Sequence, residues 1–517
     1  MYKLGIDVGG TNTDAVLMDE NLNVVASVKQ HTTSNIYDGI LHAVRTVLDA
    51  SGVNRAEIGQ AMLGTTQCTN AIVERKNLAP IGILRIGAPA SRGIPPMVDW
   101  VDALKKIAVK TAVVGGGFEY DGKELAPFDV AAATAFFEEL KAENIKSVAI
   151  SCVFSTVRND HELEAAKLCK AVMGEDVHVS ISSEIGSMGL IERENATILN
   201  AALYKVAESF TEGFAQSLAD EGVTNAQVYL SQNDGTLMTM EYARRYPILT
   251  IACGPTNSIR GASYLSQIKN AIVIDVGGTT TDLGVIQNGF PRESGVAVTI
   301  GGVRTNFRMP DVVSIGLGGG SIVRQKEDGT VTVGPDSVGY QITEKALCFG
   351  GDVCTATDIA VRLGMTDLGD KALVASLDED FAKKAMDAIR ALCEDSIDAM
   401  KVSSDDVDVI LVGGGSIVLP ENLAGARSVT KHAHGGVANA IGSAISKVSG
   451  TYEQLIDYNE LPREQALEQA KAEAIELAVA AGAIRETVEI IDAEDVPLQY
   501  YPGNTARVKI KAAGDLA

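Results

Sequence analysis

The chain has 517 residues, of which 46% are hydrophobic and 21% are charged, so it can form two or three globular domains with real cores. A net charge of −23 argues against a nucleic acid partner, because phosphate backbones are bound by basic surfaces. No segment approaches the roughly 18 uninterrupted apolar residues of a membrane span. Seven cysteines scattered singly are typical of reduced thiols, so we expect a cytoplasmic protein without a membrane partner.

A short motif occurs twice. Residues 6–18 read IDVGGTNTDAVLM and residues 274–286 read IDVGGTTTDLGVI, so Asp7 recurs as Asp275. Before the first glycine pair, Leu4, Ile6 and Val8 alternate with Gly5, Asp7 and Gly9, which is typical of a β-strand. The glycines then permit a tight turn with close access to the backbone. A repeat this far apart predicts two related half-molecules, each built around one copy.

Each turn has the features of an anion site behind a carboxylate. Successive backbone N–H groups and threonine hydroxyls can bind phosphate oxygens. The residues predicted to bind a nucleotide in this way are Gly9, Gly10, Thr11, Asn12 and Thr13 in the first turn, and Gly277, Gly278, Thr279 and Thr280 in the second. The carboxylates of Asp7 and Asp275 would repel a bare phosphate, so a cation such as Mg²⁺ is expected between them. We therefore predict that Asp7 and Asp275 are catalytic and hold Mg²⁺ through water.

Helices and strands alternate along the rest of the first half. The segment 129–182 has the pattern of an α/β unit, with helices at 129–144 and 160–173 and strands at 147–154 and 177–182. A single long helix is expected from Gly189 to about Glu221. Near the end of the chain, residues 461–482 predict a Glu/Lys/Ala-rich helix opened by Pro462, followed by two or three strands.

Two glycine-rich segments follow the second motif. Residues 314–321 read SIGLGGGS, which falls one residue short of GxGxxG and lacks the βαβ context of a dinucleotide fold. No GxxxxGK[ST] segment occurs either, so neither a Rossmann site nor a P-loop is predicted. Gly413, Gly414 and Gly415 come directly after a buried strand, where bare backbone would let the flat base of a nucleotide lie close.

A few polar residues have open roles. Cys348 and Cys354 are six positions apart, a spacing that fits no common zinc site. Two histidines, His432 and His434, could bind a metal or a phosphate, although exposed loop histidines account for them as well. For Asp352 and Asp358 no role follows from the sequence beyond a favourable position of Asp358 near a helix start.

The two turns resemble the phosphate-1 and phosphate-2 loops of the actin, sugar-kinase and heat-shock chaperone superfamily of ATPases, and Gly413–Gly415 lies where that superfamily has its adenosine loop. Five further motifs occur in an order that resembles the N-methylhydantoinase A / 5-oxoprolinase family, which includes acetone carboxylase beta subunits. They are GTTQCTNAIVERK (64–76), IERENATILNAAL (191–203), ACGPTNSIRGA (252–262), DVVSIGLGGGSI (311–322) and GGDVCTATDIAVRLG (350–364). The resemblance covers about residues 1–450.

The resemblance implies an α/β fold with two actin-like, ribonuclease H-like ATPase domains around a nucleotide cleft. We expect an N-terminal half at 1–185, a second half with the phosphate-2 and adenosine loops at 186–452, and a short C-terminal helix-plus-strand extension at 453–517. The chain departs from the family pattern at Cys253–Ser258, where SGPAGG is usual, at 232–236, where a Gly-Gly form is commoner, and in this short extension.

The function implied by the resemblance is ATP- and Mg²⁺-dependent phosphorylation of a carbonyl oxygen. The expected substrate is a cyclic amide or imide, such as a hydantoin or oxoproline, or a ketone, and a second subunit would complete ring-opening hydrolysis. The chain would then be an ATP-dependent hydrolase, and a homo-oligomer is compatible with this reading. Two alternatives remain open: a small-molecule hydroxyl kinase and a regulatory ATPase such as a dehydratase activator.

Overall fold

The computed structural model describes residues 1–10, 12–32, 36–295, 297–498 and 503–516. Within these ranges the α-helices α1 to α15, in chain order, are Ile36–Ser51, Gln67–Glu74, Asp102–Lys105, Val130–Ala142, Asp160–Met173, Leu190–Ala202, Tyr204–Asp220, Met240–Arg245, Cys253–Ser266, Ile342–Lys345, Ala356–Arg362, Lys371–Val374, Glu379–Met400, Ala438–Ala444 and Arg463–Ala480. None of these described helices combines the length and the apolar character needed to cross a membrane.

The described strands form several sheets. In chain order, β1 to β23 are Tyr2–Val8, Asn12–Met18, Val24–His31, Ile58–Thr65, Ile81–Ala88, Ala108–Gly115, Ser147–Cys152, His178–Ile181, Gln227–Ser231, Thr236–Thr239, Ala271–Val276, Thr281–Gln287, Phe290–Pro291, Val298–Ile300, Val303–Thr305, Val312–Ile315, Ser321–Gln325, Val331–Ser337, Val407–Val412, Ala426–Lys431, Lys447–Asp457, Glu489–Pro497 and Thr505–Gly514. The protein is thus a mixed α/β structure.

Both copies of the repeated motif form a β-hairpin with the same pairing. In the antiparallel pair β1–β2, Asp7 lies opposite Asp14. In the antiparallel pair β11–β12, Asp275 lies opposite Asp282. Each hairpin is joined on one side by a parallel strand, which is β4 for the first and β19 for the second. The repeat in sequence is therefore also a repeat in structure.

The two hairpins belong to different sheets. The first lies in a nine-stranded sheet with the order β22-β23-β21-β10-β9-β4-β1-β2-β3, and the second in the sheet β13-β12-β11-β19-β20, where β16 also pairs with β12. A parallel four-stranded sheet, β6-β5-β7-β8, packs against α4 and α5. The predicted boundary at 452/453 falls inside β21, but sheet membership does not define folding units, and the division into 1–185, 186–452 and 453–517 stays a prediction.

Helices α9 and α14 join the two hairpin sheets. Helix α14 packs on β1 and β2, α9 packs on β12 and β19, and the two helices pack on each other. Their contact is close at the backbone. A Cβ atom on Gly261 would lie 1.9 Å from the carbonyl oxygen of Ala438, and one on Gly442 would lie 1.8 Å from that of Asn257. Glycine is therefore required at both crossing points.

The long helix predicted for 189–221 is wrong in one respect, because it is two helices. Helix α6 ends at Ala202 and α7 begins at Tyr204, with Leu203 between them. Helix α6 packs on β7, whereas α7 packs on α1. One straight helix could not bury an apolar face on both neighbours, so tertiary packing overrides the continuous helical pattern.

The crossing of α9 and α14 predicts that a methyl group at Gly442 destabilises the protein. Alanine is the better helix former, but its Cβ would overlap the Asn257 carbonyl. We expect Gly442→Ala to lower the free energy of unfolding by about 1–3 kcal/mol or more, the usual cost of overpacking. The control is Gly93→Ala, where a Cβ atom meets nothing within 4 Å, and thermal unfolding measures both. Equal melting temperatures for the two variants would contradict the close crossing.

Candidate active site

A cavity of about 400 Å³ lies between the two hairpin turns. Predicted nucleotide-binding residues that line it are Gly9, Gly10, Asn12, Gly277, Gly278, Thr279, Thr280, Gly413, Gly414 and Gly415. Thr13 is fully buried, bonds through its hydroxyl to the hydroxyl of Thr32 at 3.1 Å, and is not among the residues lining the cavity. Thr11 lies outside the described residues. The structure thus brings nearly all of the predicted residues to one place, while their roles stay predictions.

The two turns are closed by equivalent backbone hydrogen bonds. The N–H group of Gly9 donates to the carbonyl of Asn12 at 3.0 Å, and that of Gly277 donates to the carbonyl of Thr280 at 2.8 Å. Each turn places the preceding aspartate at the end of its strand, beside the cavity. The same local sequence therefore forms the same turn twice, on facing walls.

Each predicted catalytic aspartate lies against a glycine at the C-terminal end of the neighbouring parallel strand: Gly64 in β4, and Gly413 directly after β19. A Cβ atom on Gly64 would lie 2.3 Å from Oδ1 of Asp7, and one on Gly413 would lie 2.2 Å from Oδ1 of Asp275. Gly413 also has a φ of +85°, which favours glycine. The first glycine of the 413–415 segment is thus required by the carboxylate beside it, a reason that the sequence alone does not show.

Two asparagines hold the first carboxylate. The side-chain amide of Asn257 donates to Oδ1 of Asp7 at 3.2 Å. The amide of Asn439 donates to Oδ2 of Asp7 at 3.0 Å and to Oδ2 of Asp14 at 2.8 Å. Asn257 lies on α9 and Asn439 on α14, so the helix pair orients the carboxylate of Asp7.

The carboxylates of the site have raised pKa values. Burial raises the pKa of Asp7 to about 6, and repulsion by Asp14 and, more weakly, by Asp275 adds to the rise. Burial also raises the pKa of Asp282 to about 6, again with a contribution from Asp275. For Asp275 burial raises the pKa, while a hydrogen bond from Ser258 opposes the rise. These carboxylates repel one another, which is the electrostatic condition for binding a cation.

Lys29 is a site residue that the sequence did not indicate. Its ammonium group donates to both carboxylate oxygens of Asp14, at 2.9 and 2.8 Å, and to the carbonyl oxygen of Gly436 at 2.9 Å. Burial raises the pKa of Asp14, and the charge of Lys29 opposes that rise. Lys29 belongs to neither turn. It reaches the cavity because β3 pairs with β2, which places Lys29 opposite Asp14.

The SIGLGGGS segment supports the second turn. The N–H groups of Gly319 and Gly320 donate to the carbonyls of Gly277 and Gly278 at 3.0 and 2.8 Å. A Cβ atom on Gly318 would lie 2.6 Å from backbone atoms of the same turn. The glycines of this segment therefore allow close backbone packing against the second turn.

Next to the 413–415 segment the cavity wall becomes apolar. Ile342, Phe349, Leu368 and Ile417 line the cavity. Ile342 and Gly415 both lie within 4 Å of a Cβ atom placed on Gly319, so the apolar wall and the glycine segment adjoin. Such a wall fits a flat heterocycle, since ligand pockets are lined mainly by apolar groups with a few polar ones.

The residues whose roles the sequence left open are not among those that line the cavity. Asp358 forms a capping box with Thr355 at the start of α11 and accepts hydrogen bonds from the N–H groups of Leu347 and Cys348, a structural role. Burial raises the pKa of Cys348 and of Cys354 to about 12, so both are thiols rather than thiolates at neutral pH. Asp352, His432 and His434 are exposed.

A metal ion in this cavity would be held indirectly. Among the described residues no three His, Cys, Asp or Glu side chains lie close enough together to bind a metal directly. Mg²⁺ in phosphate sites is usually bound by one or two carboxylates together with phosphate oxygens and water. The facing carboxylates of Asp7 and Asp275 supply the oxygen donors for such an ion, so the residues present fit Mg²⁺.

Comparison with known proteins shows to which family the chain belongs. Residues 3–173 match the hydantoinase/oxoprolinase N-terminal region and residues 193–400 match the hydantoinase/oxoprolinase family itself. The chain belongs to the hydantoinase/oxoprolinase family. The caprolactamase alpha subunit of Pseudomonas jessenii is 28% identical over 417 residues, 75% of this chain and 58% of that protein. The acetone carboxylase beta subunit of Xanthobacter autotrophicus is 24% identical over 438 residues, 76% of this chain and 58% of that protein.

The fold agrees with this family. The crystal structure of the ATP-dependent caprolactamase from Pseudomonas jessenii matches with a TM-score of 0.79 at 20% identity, covering 99% of this chain and 88% of that chain. The match supports the actin-like fold that the sequence predicted, while the ATPase role stays a prediction. The chain spans less than two thirds of the length of the curated relatives it matches.

The raised pKa of Asp282 predicts a pH-dependent stability. The folded-state pKa is about 6, above the unfolded value of 3.8, so the folded protein binds more protons between these values and loses stability as pH rises through them. We therefore expect Asp282→Asn to raise the melting temperature above about pH 6.5, and the gain to vanish towards about pH 4. Thermal unfolding across this range measures it, with Asp387→Asn on the exposed side of α13 as control. A gain of the same size at every pH would contradict the assignment.

Proposed function

We propose that this chain binds ATP with Mg²⁺ between the two hairpin turns and transfers the γ-phosphoryl group to the carbonyl oxygen of a cyclic amide or imide, such as a hydantoin or oxoproline. The observation that carries the proposal is the pair of aspartates, Asp7 and Asp275, facing each other across a cavity walled by two glycine turns. Membership of the hydantoinase/oxoprolinase family supports it. In this proposal the two hairpin sheets are the cores of two actin-like halves around a nucleotide cleft.

The nucleotide has a defined orientation in the proposal. N–H groups of the two turns bind the phosphates, because successive backbone amides form an anion site, while the N–H groups of Gly9 and Gly277 close the turns. The adenosine lies against Gly413–Gly415 and the apolar wall that includes Ile342 and Phe349. Asp7 and Asp275 hold Mg²⁺ through water, and the ion supplies charge neutralisation for the phosphates when it is bound. The acceptor enters at the start of α9, where Gly254 and Pro255 line the cavity beside Thr66.

The chemistry requires alignment more than covalent help from the protein. The carbonyl oxygen attacks the γ-phosphorus, a new P–O bond forms, the bond to the bridging oxygen breaks, and ADP leaves. Water then adds to the activated carbon, the ring C–N bond breaks, and inorganic phosphate is released. Because an amide oxygen carries no proton, the first step needs no general base, unlike transfer to a hydroxyl group.

The two alternative functions differ in the acceptor. A small-molecule kinase would transfer the phosphoryl group to a hydroxyl, and a regulatory ATPase such as a dehydratase activator would need no acceptor. Release of ADP in the presence of lactams, hydantoins, ketones or sugars, measured against ATP alone, separates the three. Stimulation by a cyclic amide or imide supports the proposal, stimulation by sugars alone would favour the kinase, and an unstimulated rate would favour the regulatory ATPase.

The role proposed for Asp275 predicts a loss of turnover. Asp275→Asn keeps the shape of the side chain but removes its charge, so we expect metal-dependent ATP turnover to fall by about 10²-fold or more, the scale of losing one major electrostatic contact. Circular dichroism should show an unchanged fold. Asp387→Asn on α13 changes the same residue type at an exposed position and should leave turnover unaltered. Unchanged turnover in Asp275→Asn would refute the assignment.

We also propose that the chain performs the activating half of a reaction that a second subunit completes, in the cytoplasm, where its free cysteines stay reduced. The two relatives compared above are named as subunits of their enzymes, which supports a partner. Among the described residues no cluster of metal-binding side chains is present for a second, metal-dependent hydrolysis step.

This division of labour predicts the products of the isolated chain. Purified alone with ATP, Mg²⁺ and a cyclic amide that stimulates it, the chain should form ADP with little ring-opened product, because no partner is present to direct water to the activated carbon. Chromatography of ADP and of the ring-opened product measures the ratio. Adding a co-encoded second subunit should raise the ratio of ring-opened product to ADP towards one. Stoichiometric ring opening by the chain alone would show that it completes the reaction itself.

A further inference from the structure

One cationic side chain lines the cavity. Within the described part of the chain, Lys29 is the only lysine or arginine among the residues that line it, whereas four aspartates do so. ATP is a polyanion, and a site with an excess of carboxylates binds it only if cations compensate the charge. In the proposed function, Mg²⁺ held by Asp7 and Asp275 is one such cation. Lys29 is the second, so the position of its ammonium group matters.

The ammonium group of Lys29 lies between the two turns. It is paired with Asp14 of the first hairpin, and its charge also acts on Asp275 of the second, whose burial-raised pKa it lowers. The stem of the side chain passes Gly414, since a Cβ atom on that glycine would lie 3.5 Å from Cε of Lys29. One side chain from β3 thus reaches both walls of the cavity.

One of the three N–H groups of the Lys29 ammonium can change its hydrogen-bond acceptor. Two N–H groups bond to the oxygens of the buried Asp14, an ion pair in which the carboxylate is 1% exposed. The third bonds to the carbonyl oxygen of Gly436, a neutral acceptor on the second half of the chain. A charged phosphate oxygen is a stronger acceptor than a peptide carbonyl. Phosphate can therefore displace Gly436 without breaking the ion pair.

We propose that Lys29 contacts the terminal phosphoryl group of the bound nucleotide, with Asp14 as the positioning residue that holds the ammonium group in place. This inference rests on the proposed function, since it takes ATP as the ligand of the cavity. Lys29 exchanges the carbonyl of Gly436 for an oxygen of the γ-phosphoryl group and keeps its bonds to Asp14. It thereby distinguishes ATP from ADP and stabilises the negative charge of the phosphoryl group during transfer.

The test compares two nucleotides on one variant. Lys29→Met removes the charge and keeps the length of the stem. We expect it to weaken binding of a non-hydrolysable ATP analogue by about 10- to 100-fold, the value of a hydrogen bond to a charged group, and binding of ADP by less than about 3-fold. Calorimetric titration with Mg²⁺ present measures both. We also expect kcat for ATP turnover to fall by about 10²-fold, with partial recovery in Lys29→Arg, which keeps the charge.

Two further variants control for folding. Lys431 on β20 has a side chain as exposed as that of Lys29, 35% against 34%, and also forms one ion pair, so Lys431→Met should bind both nucleotides as the unaltered protein does. Lys29→Met leaves Asp14 buried without its partner and could unfold the protein. The double variant Lys29→Met with Asp14→Asn removes both charges together and should show the same selective loss of the ATP analogue.

The outcomes separate this inference from the proposed function. Equal weakening of ADP and of the ATP analogue in Lys29→Met, or in the double variant, would overturn the contact with the terminal phosphoryl group while leaving ATP as the ligand. Failure of the unaltered protein to bind either nucleotide would overturn the proposed function and this inference with it. Selective loss of the ATP analogue, together with unaltered binding by Lys431→Met, is the result that supports it.

Discussion

The close crossing of α9 and α14 is the contact on which the rest of the site depends. Consecutive residues of α9 reach both catalytic candidates: Asn257 bonds to Asp7, and Ser258 bonds to Asp275. From α14, Asn439 bonds to Asp7 and Asp14. These bonds form only because glycines let the helices approach to backbone contact. A side chain at either crossing would displace the amides from the carboxylates, so packing and chemistry are coupled.

This coupling explains how repelling carboxylates can be kept in one cavity. Burial and mutual repulsion destabilise ionised Asp7, and the two asparagine amides offset part of that effect. Lys29 offsets it for Asp14. Neither the asparagine amides nor Lys29 lowers the pKa of Asp282, which accepts a hydrogen bond from the hydroxyl of Ser314. The remaining repulsion is what the Mg²⁺ of the proposed function would relieve, and a protein can accept such instability at a functional site.

The repeated turn could be predicted because it is a local structure. Its strand periodicity, its glycines and its aspartates lie within a dozen residues, and the structure places Asp7 and Asp275 at the same register of two equal hairpins. The residues that support them could not be found in this way. Asn439 and Lys29 lie outside both motifs, and nothing in their sequence neighbourhood distinguishes them from surface residues. They become site residues only through the pairing of β3 with β2 and the crossing of two helices.

The 232–236 segment and the last strand, β23, meet in space. Asp234, which is buried, forms ion pairs with Lys511 of β23 at 3.0 Å and with Arg308 at 3.6 Å. Lys509 and Lys511, two positions apart and so on one face of β23, both pair with Glu293, whose pKa burial would raise but these lysines hold well below its usual range.

Removing one member of a buried ion pair leaves an uncompensated charge at a cost of about 3–5 kcal/mol, so Asp234 and Lys511 of the last strand require each other. The backbone of the same segment reaches the site, because the carbonyl of Asn233 accepts a hydrogen bond from the hydroxyl of Thr256, beside Pro255 at the start of α9. The last strand is therefore connected to the start of α9 through Asp234 and Asn233, the end of the cavity at which the proposed function places the acceptor.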